Sequence, residues 1–575
     1  MYRYIVLFGR SCKGERSAVD EALQNIGLQT RLDHGGGILY VTPDTPVFRL
    51  PSNGGTLIGH VFSHDGRSLM DDAELLGTSS RRKVAHHVLD KYWGEYLLIQ
   101  EPADDTEATM IMRDPSGGVG CVYSLRDGFA TSDISVASRA GLYAKVVDWG
   151  SIHGSLLYPQ LKTGRTSLSG LQELLPGCRL HIREQAATTE EMWSPWEFVS
   201  PQRRHIDQRE AQADVRHAVS STVKRWAETD ESVLLELSGG LDSSIVAACL
   251  LEVNARVACC NLVSPVPGAD ERRYARLMSD LLRTELHVAT LGFENTRFHF
   301  PPPPHAFAPS TWFLQHASDE LNESIGSQLG VKSFYSGGGG DTVFGYTRTA
   351  APAADAFREL GMVAGIKAIH DLAELHQCTF WKAGRLTLKK LALPPKPPRS
   401  ADRSFVAKMP TKDAVALHPW LAAPDDALAG DRERIFDLAG NQVFRDGVSR
   451  GAKRQLRMPL LSQPVVEACL KVPSWMWITG GRNRALARDA FAEILPPAVL
   501  YRRSKGTFVN YCGAVFRRNR SQLRDYLLAG ELEGHGLLDA DELRRFFHRD
   551  LAARDESFMR IFDLCAVENW VRHQH

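Results

Sequence analysis

Short apolar runs alternate with helical stretches between Ile206 and Tyr335, and this alternation constrains the fold more than any other feature of the sequence. The runs have the length of buried strands, and the stretches between them have the apolar spacing of amphipathic helices. The predicted strands are Val233–Leu237, Val257–Val263, Leu286–Leu291 and Val331–Tyr335. The predicted helices are Ala211–Trp226, Ser243–Val253, Asp270–Leu282 and His316–Leu329. Strands that alternate with helices predict an α/β domain built on a doubly wound parallel sheet.

Glycine-rich turns follow the first and the last of these predicted strands. In doubly wound sheets, ligands bind at the carboxyl ends of the strands. Both turns lie at such an end, so we expect them to form a binding site.

The N-terminal part of the chain has a different pattern. Residues 1–183 contain short predicted strands separated by Gly, Asp and Pro clusters, which is typical of a mainly antiparallel layered domain with few helices. These strands are Tyr2–Phe8, Gly37–Val41, Thr56–Val61, Glu95–Gln100, Ala108–Met112, Cys121–Tyr123 and Arg179–Ile182. The pattern breaks down between Glu184 and Glu210, so we expect one domain over residues 1–195 and a second over 205–575. After about Asp413 the sequence predicts helices with loops.

Composition excludes several classes of function. The chain has 575 residues with 68 Lys+Arg against 68 Asp+Glu, which leaves no excess charge to bind a nucleic-acid backbone. Its apolar stretches fall short of the roughly 18 residues that a membrane-spanning helix needs. We therefore expect no nucleic-acid partner and no membrane insertion. The ten cysteines form no CxxC pair, and the apolar run Tyr4 to Phe8 is too short for a signal peptide, so we expect a reduced, cytoplasmic protein.

The first glycine turn reads Ser238-Gly239-Gly240-Leu241-Asp242-Ser243-Ser244 and leads from a predicted strand into a helix. Glycines let backbone N–H groups approach phosphate oxygens, and the following helix N-terminus adds free donors. Asp242 suits a helix cap or a Mg²⁺ ligand. The Gly-Lys-Ser/Thr ending of Walker A is missing. In isolation, the turn would fit a plain strand–turn–helix junction capped by Asp242.

The turn matches the SGGxDSS pyrophosphate-binding loop of the PP-loop ATP pyrophosphatases, which cleave ATP between its α and β phosphates. The second turn, Ser336-Gly337-Gly338-Gly339-Gly340-Asp341-Thr342, resembles the SGxGxDE element of the asparagine synthetase family. Segments around Arg457-Met458-Pro459, Gly481–Arg484 and Arg502–Phe508 resemble later landmarks of that family, as do Trp93–Tyr96 and Arg113–Gly117 of its N-terminal glutaminase-like, Ntn-hydrolase-like domain.

The resemblance implies ATP and Mg²⁺ as cofactors. It implies that Asp242 and Asp341 hold the metal and that Lys505 is catalytic. The residues that it implies for binding ATP and pyrophosphate are Leu237, Ser238, Gly239, Gly240, Asp242, Ser243, Ser244, Leu262, Ser336, Gly337 and Gly338.

Three positions depart from the family pattern. Glutamine-dependent members carry Cys directly after Met, whereas this chain has Tyr2, and Cys12 lies inside the chain. Without that thiol and its α-amine, glutamine hydrolysis is not expected, and the first domain is predicted to be an inactive scaffold. Gly338 replaces the Glu of asparagine synthetases or the Tyr of β-lactam synthetases, and Thr342 replaces an acidic residue. Losing a side chain at Gly338 enlarges the acyl pocket and favours a bulkier substrate.

Together these features resemble the lasso peptide cyclases (macrolactam synthetases) of the asparagine synthetase and β-lactam synthetase family. That resemblance implies adenylation of an Asp or Glu side chain in a leader-free core peptide, followed by attack of the peptide's N-terminal amine. It also implies a leader peptidase as partner. Glu374 is a candidate base for the amine, although it matches no motif.

Other interpretations remain open at the level of sequence. One is another amide-forming ligase of the asparagine or β-lactam type, which Tyr2 and Gly338 disfavour. A second is a catalytically dead scaffold, which Asp242, Asp341 and Lys505 disfavour. A tRNA-thiolating enzyme is more remote, because the chain lacks net positive charge and paired cysteines.

Overall fold

The computed structural model describes residues 2–8, 16–34, 37–51, 54–65, 69, 79–102, 108–183, 186–251, 253–268, 270–310, 312–393, 400–408, 417–502, 508–552 and 554–574. Within these residues the strands form two six-stranded sheets and one five-stranded sheet. No helix among them is long and apolar enough to cross a bilayer.

The two six-stranded sheets are antiparallel and lie in the N-terminal part of the chain. The first has the order β10-β8-β9-β1-β3-β2 and the second β12-β11-β7-β6-β5-β4. Their strands are β1 Tyr4–Phe8, β2 Gln29–His34, β3 Gly37–Val41, β4 Val47–Arg49, β5 Thr56–Ser63, β6 Tyr92–Gln100, β7 Thr109–Arg113, β8 Val122–Ser124, β9 Phe129–Thr131, β10 Gln172–Glu173, β11 Cys178–Arg183 and β12 Ala186–Glu191.

Alternation along β1 explains how these sheets pack. Tyr4, Val6 and Phe8 lie in a buried cluster shared with Leu97 of the second sheet. Ile5 and Leu7 point to the other face, into a cluster with helices. The strand therefore has a buried side chain at every position, and the two sheets form adjacent layers.

The third sheet is parallel, with the order β15-β14-β13-β16-β17. Its strands are β13 Ser232–Glu236, β14 Arg256–Val263, β15 Leu286–Thr290, β16 Ser333–Tyr335 and β17 Gln455–Arg457. Leu235 packs with helices on one face, and Leu234 packs on the other face with Phe334. The predicted α/β class with a parallel sheet is confirmed, and every predicted strand and helix between Ile206 and Tyr335 is present.

Helices cover the sheets and form most of the C-terminal part. They are α1 Arg16–Asn25, α2 Arg81–Lys91, α3 Ile134–Arg139, α4 Trp149–Leu157, α5 Gln208–Asp230, α6 Leu241–Cys249, α7 Arg272–Leu281, α8 Gln315–Leu329, α9 Gly340–Val343, α10 Ala351–Leu360, α11 Met362–Leu375, α12 Phe380–Ala392, α13 Ala429–Gly447, α14 Gln463–Leu470, α15 Ala485–Ala490, α16 Pro497–Leu500, α17 Phe508–Arg518, α18 Arg520–Leu528, α19 Glu531–Gly534, α20 Ala540–His548 and α21 Met559–Arg572.

Two secondary-structure predictions were wrong. The polar stretch after Glu184 contains β12, which pairs with β11 at the edge of its sheet and is largely exposed. An edge strand pairs through backbone hydrogen bonds and needs no alternation of apolar side chains, so the sequence pattern did not predict β12. The region after Asp413, predicted as helices and loops, contains β17, whose three residues pair with β16. A strand this short has no periodicity to read.

The buried core runs from the N-terminal sheets into the parallel sheet. Trp226 of α5 packs edge-on against Phe62, with ring centroids 4.8 Å apart, and against Trp93 at 6.0 Å. The same cluster includes Leu235 of β13. The domain limits at 195 and 205 stay a prediction, and these contacts show a continuous core on both sides of them.

Candidate active site

The two glycine turns lie side by side at the carboxyl ends of the central strands of the parallel sheet. The first leads from β13 into α6, and the second leads from β16 into α9. β13 and β16 are neighbours, and the chain leaves them towards opposite edges of the sheet. This is the topological switch point, where open α/β sheets bind ligands.

Glycines allow the two turns to touch. A Cβ atom on Gly337 would lie 2.6 Å from the backbone nitrogen of Ser243, and one on Gly340 would lie 2.5 Å from Cβ of Asp242. Gly239 has φ +71°, and its Cβ would lie 2.6 Å from Cβ of Tyr274. These three glycines are therefore required by close backbone approach.

Gly338 differs from its neighbours, because no atom of the described residues crowds it. Its nearest atoms to an added Cβ would be Sδ of Met458 at 3.4 Å and Oγ of Ser336 at 3.5 Å, which is ordinary contact. Gly338 also lines the large cavity next to the turns. The backbone here would accept a side chain, so the glycine leaves space in the cavity rather than relieving strain.

The two predicted metal ligands meet at one arginine. Nη1 of Arg484 donates to both carboxylate oxygens of Asp242, at 2.8 and 2.9 Å, and to Oδ1 of Asp341 at 2.8 Å. Carboxylates from the two turns are thus close enough to share one cation. Mg²⁺ is usually held by one or two carboxylates together with substrate phosphates, so this pair fits it.

Serine hydroxyls and backbone amides line the first turn. Oγ of Ser238 accepts from the amide of Gly240 at 3.3 Å and lies 3.1 Å from Oγ of Ser243. Ser238, Gly240 and Ser243 border the cavity. Leu237 and Ser244 are fully buried beneath the turn. Leu262 is half-buried on β14, one strand away from β13.

The second turn is held by an ion pair between buried Arg450 and partly exposed Glu236. Oγ of Ser336 donates to Glu236 at 3.2 Å and accepts from the amide of Gly338 at 3.2 Å. Arg450 donates to the same Glu236 oxygen at 2.7 Å. These contacts tie the residue before Gly337 to the end of β13 and fix the spacing of the turns.

Arginines surround the turns and were not among the residues predicted from sequence. Arg484, Arg488 and Arg502 border the cavity. Arg502 donates to the carbonyl of Gly239 at 3.0 Å and stacks over the Tyr274 ring at 4.0 Å. Burial, followed by the positive charge of Arg484, lowers the pKa of Arg488 to about 10. This concentration of positive charge suits a polyphosphate. Arg484 and Arg502 lie within the segments quoted above for their family resemblance. That resemblance was the sequence feature that could have identified them as site residues.

Of the two predicted catalytic residues, the structure describes only Glu374. Lys505 falls in residues 503–507, outside the part that the structure describes. Glu374 is exposed on α11, and its carboxylate packs against Gly481, where an added Cβ would lie 2.5 Å from its Cδ. Glu374 is not among the described residues that border the cavity. Both assignments stay predictions.

The cavity that opens from the turns has a volume of about 1860 Å³. Helices α10, α12 and α13 form its distant walls, through residues such as Asp355, Leu391 and Phe444. Glu433 of α13 accepts from Thr349 at 2.6 Å and pairs with Lys390 of α12. Pockets for small molecules measure roughly 300–1,000 Å³, so this one is larger than a nucleotide-sized ligand requires.

Tyr2, where glutamine-dependent family members have cysteine, is buried in the N-terminal sheets. Nη2 of Arg457 donates to its hydroxyl at 3.0 Å. Burial raises the pKa of the Tyr2 phenol to about 12, although Arg457 opposes the shift. A neutral phenol that accepts from a guanidinium is poorly suited to act as a nucleophile.

Comparison with known proteins agrees with this geometry. A family model described as asparagine synthase matches residues 214–572, a range that contains both glycine turns, Arg484 and Lys505. No curated protein matches the chain. Because the matched residues make up more than half of the chain, it belongs to the asparagine synthase family of ATP-dependent amide-forming ligases.

Proposed function

We propose that this protein is a macrolactam synthetase of the lasso peptide cyclase type. It adenylates an Asp or Glu side chain of a leader-free core peptide and couples it to the peptide's N-terminal amine, with release of pyrophosphate and AMP. The observation that carries the proposal is the cavity of about 1860 Å³ that starts at the glycine turns. A cavity of this size leaves room for the reacting part of a peptide beside ATP, whereas aspartate and ammonia would leave most of it unfilled.

Gly338 supports the same conclusion at the acyl end of the cavity. Its surroundings leave room for a side chain, with the nearest atom 3.4 Å from an added Cβ. The Glu or Tyr that asparagine and β-lactam synthetases carry at this position would occupy space next to the turns. The chain instead leaves that space to the substrate.

The residues have distinct roles in the proposed reaction. Asp242 and Asp341 would hold Mg²⁺, and a bound Mg²⁺ would offset negative charge on the phosphates. Ser238, Ser243 and the amides of Gly239 and Gly240 bind pyrophosphate, at the N-terminus of α6. Lys505 stays the predicted cation at the reacting phosphate and acyl centre.

Two displacements account for all the bonds. An oxygen of the peptide carboxylate forms a bond to the α-phosphorus of ATP as the bond to the β-phosphate oxygen breaks, and pyrophosphate leaves. The N-terminal nitrogen then bonds to the acyl carbon, loses a proton, and AMP leaves with the former carboxylate oxygen. The proton passes to solvent, and Glu374, which is not among the described residues that border the cavity, stays only a prediction for that role. Prefolding of the peptide brings nitrogen and carbon together, an advantage of roughly 7–11 kcal/mol at most.

The proposal also specifies partners. The amine can attack only after a leader segment has been removed, so a leader peptidase must act before this enzyme. We expect the two proteins to work together on one precursor peptide, without a nucleic acid.

The test is cyclisation by the purified full chain. The substrate is the leader-free core of a short precursor peptide encoded beside the gene, with ATP and Mg²⁺, and mass spectrometry follows the loss of one water. Asp242→Asn should abolish ring formation while the protein stays folded, and Glu228→Gln on the exposed face of α5 is the control. AMP release from aspartate plus ammonia, without any peptide product, would favour the asparagine type instead.

A further inference from the structure

Arg484 makes the contacts that a metal would be expected to make. One nitrogen, Nη1, lies 2.8 and 2.9 Å from the oxygens of Asp242 and 2.8 Å from Asp341. The arginine side chain is 7% exposed, whereas Asp341 is 40% exposed. The guanidinium is therefore more deeply buried than Asp341, although all three side chains border the cavity.

The backbone holds Arg484 in a conformation that costs energy. Its φ is +56°, in the left-handed region, directly before α15. The preceding residue, Asn483, is held in place, because its side chain accepts from the amide of Thr347 at 3.0 Å and donates to the carbonyl of Thr347 at 3.1 Å. Strained residues that are held this firmly occur preferentially at functional sites.

A metal and this guanidinium cannot use the same oxygens in the same way. Mg²⁺ binds carboxylate oxygen at about 2.1 Å and requires a nearly octahedral arrangement of ligands. A carboxylate oxygen keeps a second lone pair for a metal, but a dication bound there would lie a few ångströms from the guanidinium, and like charges repel. Metal binding therefore favours an arginine that has left the present contact.

In the same position, Arg484 also lies near an aromatic ring. Its guanidinium carbon lies 5.3 Å from the centre of the Tyr346 ring, which borders the cavity. Movement along this aromatic face would bring the guanidinium towards the space above the turns, where nucleotide phosphates are expected. Guanidinium groups bind phosphate in a bidentate manner.

We propose that Arg484 is a positioning residue that takes the place of the metal. Before Mg²⁺ and nucleotide bind, it pairs Asp242 with Asp341 and keeps the two turns together. When they bind, it yields the carboxylate oxygens to the metal and donates to the phosphates. The inference rests on the proposed use of ATP and Mg²⁺ at this site. It implies that the metal binds weakly without nucleotide, because phosphates are needed to draw the arginine away.

The test measures the two ligands separately, without peptide. Mn²⁺ serves as the metal probe in electron paramagnetic resonance titrations, and α,β-methylene-ATP is the nucleotide that cannot be cleaved. For Arg484→Gln we expect Mn²⁺ alone to bind about tenfold more tightly than to the wild type, and the nucleotide about tenfold more weakly. Both affinities of Arg484→Lys should lie between those of the wild type and Arg484→Gln, because lysine keeps the positive charge but loses the forked guanidinium.

Arg482→Gln is the matched control. Arg482 lies in the same turn but pairs with Asp489, at 2.9 Å, so its loss should leave both affinities unchanged. Thermal unfolding supplies a second measurement: Arg484→Gln should melt lower than the wild type without metal, and Mn²⁺ should restore it.

The results of these experiments distinguish a failure of this inference from a failure of the proposed function. Equal weakening of both ligands in Arg484→Gln would indicate a purely structural role and would overturn the inference. Unchanged Mn²⁺ binding would overturn it as well. Failure of the wild type to bind the nucleotide at all would overturn the proposed use of ATP too, whereas normal nucleotide binding without cyclisation of the peptide would leave the arginine exchange intact.

Discussion

At the scale of single residues, adjacent glycines in the second turn differ in what they tolerate. Gly337→Ala would place a Cβ 2.6 Å from the backbone nitrogen of Ser243, whereas Gly338→Ala meets nothing closer than 3.4 Å. Backbone cannot move aside as a side-chain tip can, so Gly337→Ala should lower the free energy of unfolding by about 1–3 kcal/mol and abolish activity. Urea denaturation of both variants checks this.

Gly338→Ala is the control for that prediction. We expect its stability to lie within about 0.5 kcal/mol of the wild type. Gly338→Tyr should also fold but should fill the acyl end of the cavity, so peptide cyclisation should fall while nucleotide binding remains. Equal stability losses in the two alanine variants would contradict the contact between the turns.

A second residue gives a pH dependence. Burial, followed by the charge of Asp431, raises the pKa of Asp355 from 3.8 to about 7. Between these values the folded protein binds a proton that the unfolded chain lacks, so this group makes stability fall as pH rises, by up to about 1.4 kcal/mol per pH unit. Asp355→Asn cannot titrate and should gain stability relative to the wild type across that window. Parallel stability curves, measured by urea denaturation from about pH 4 to 7, would contradict this.

The residues of the site were predictable from sequence only where local order carries the signal. Ser238 to Ser244 and Ser336 to Asp341 are contiguous, and strand–turn–helix context marks both. Arg484 reaches the same place from more than a hundred residues away, and Glu236 holds the second turn through its contacts with Ser336 and Arg450. Such long-range pairing of charges depends on the folded arrangement, which has no local pattern.

At the scale of elements, α13 connects the second turn to the N-terminal sheets. In its middle, Asn441 donates to Oγ1 of Thr342 at 2.7 Å, next to Asp341. Near its end, Arg445 donates to the carbonyl of Ser116 at 2.6 Å, and Asp446 pairs with Lys162. The helix therefore positions the turn against the N-terminal part of the chain.

A double-mutant cycle tests this connection. Asn441→Leu and Thr342→Val each remove one partner, and together they should show a coupling of about 1 kcal/mol in the free energy of unfolding. Ser221→Ala on α5 shares no partner with Thr342, since its hydroxyl donates at 2.7 Å to the carbonyl of His217, so that pair should be additive. Additivity of the first pair as well would show that the helix does not hold the turn.

The elements themselves were predictable to different degrees. Strands β13 to β16 of the parallel sheet and the helices between them were predicted within a few residues, because both faces of the sheet are buried and the apolar runs are continuous, whereas the short β17 was missed. α4 was missed in the N-terminal part, where Asp148 caps it through the amide of Ser151 at 3.1 Å. The two glycines in its sequence make that sequence resemble a loop. The helix is stabilised by packing against the C-terminal helix α21.

At the scale of the whole molecule, a buried charge network joins the N-terminal sheets to the parallel sheet. Glu95 of β6 pairs with Arg457 of β17 and with Arg445 of α13. Arg457 is fully buried, donates to Asp230 at 3.1 Å and stacks on Trp226 at 3.9 Å. Where the resemblance predicted an inactive scaffold, the structure has charged contacts with the elements that carry the candidate site.

Removing Glu95 should therefore destabilise the molecule as one unit. Glu95→Ala leaves two guanidiniums without a shared partner, and breaking a buried pair in this way costs about 3–5 kcal/mol. Glu228→Ala breaks only exposed contacts on α5 and should cost less than about 1 kcal/mol. Scanning calorimetry of both variants should show one transition, shifted far more in Glu95→Ala, because the core is continuous across the interface.

If Glu95→Ala does not fold, Glu95→Gln keeps the acceptor and reports the charge alone. Two separate transitions, or equal shifts in Glu95→Ala and Glu228→Ala, would mean that the N-terminal sheets fold independently and do not support the site.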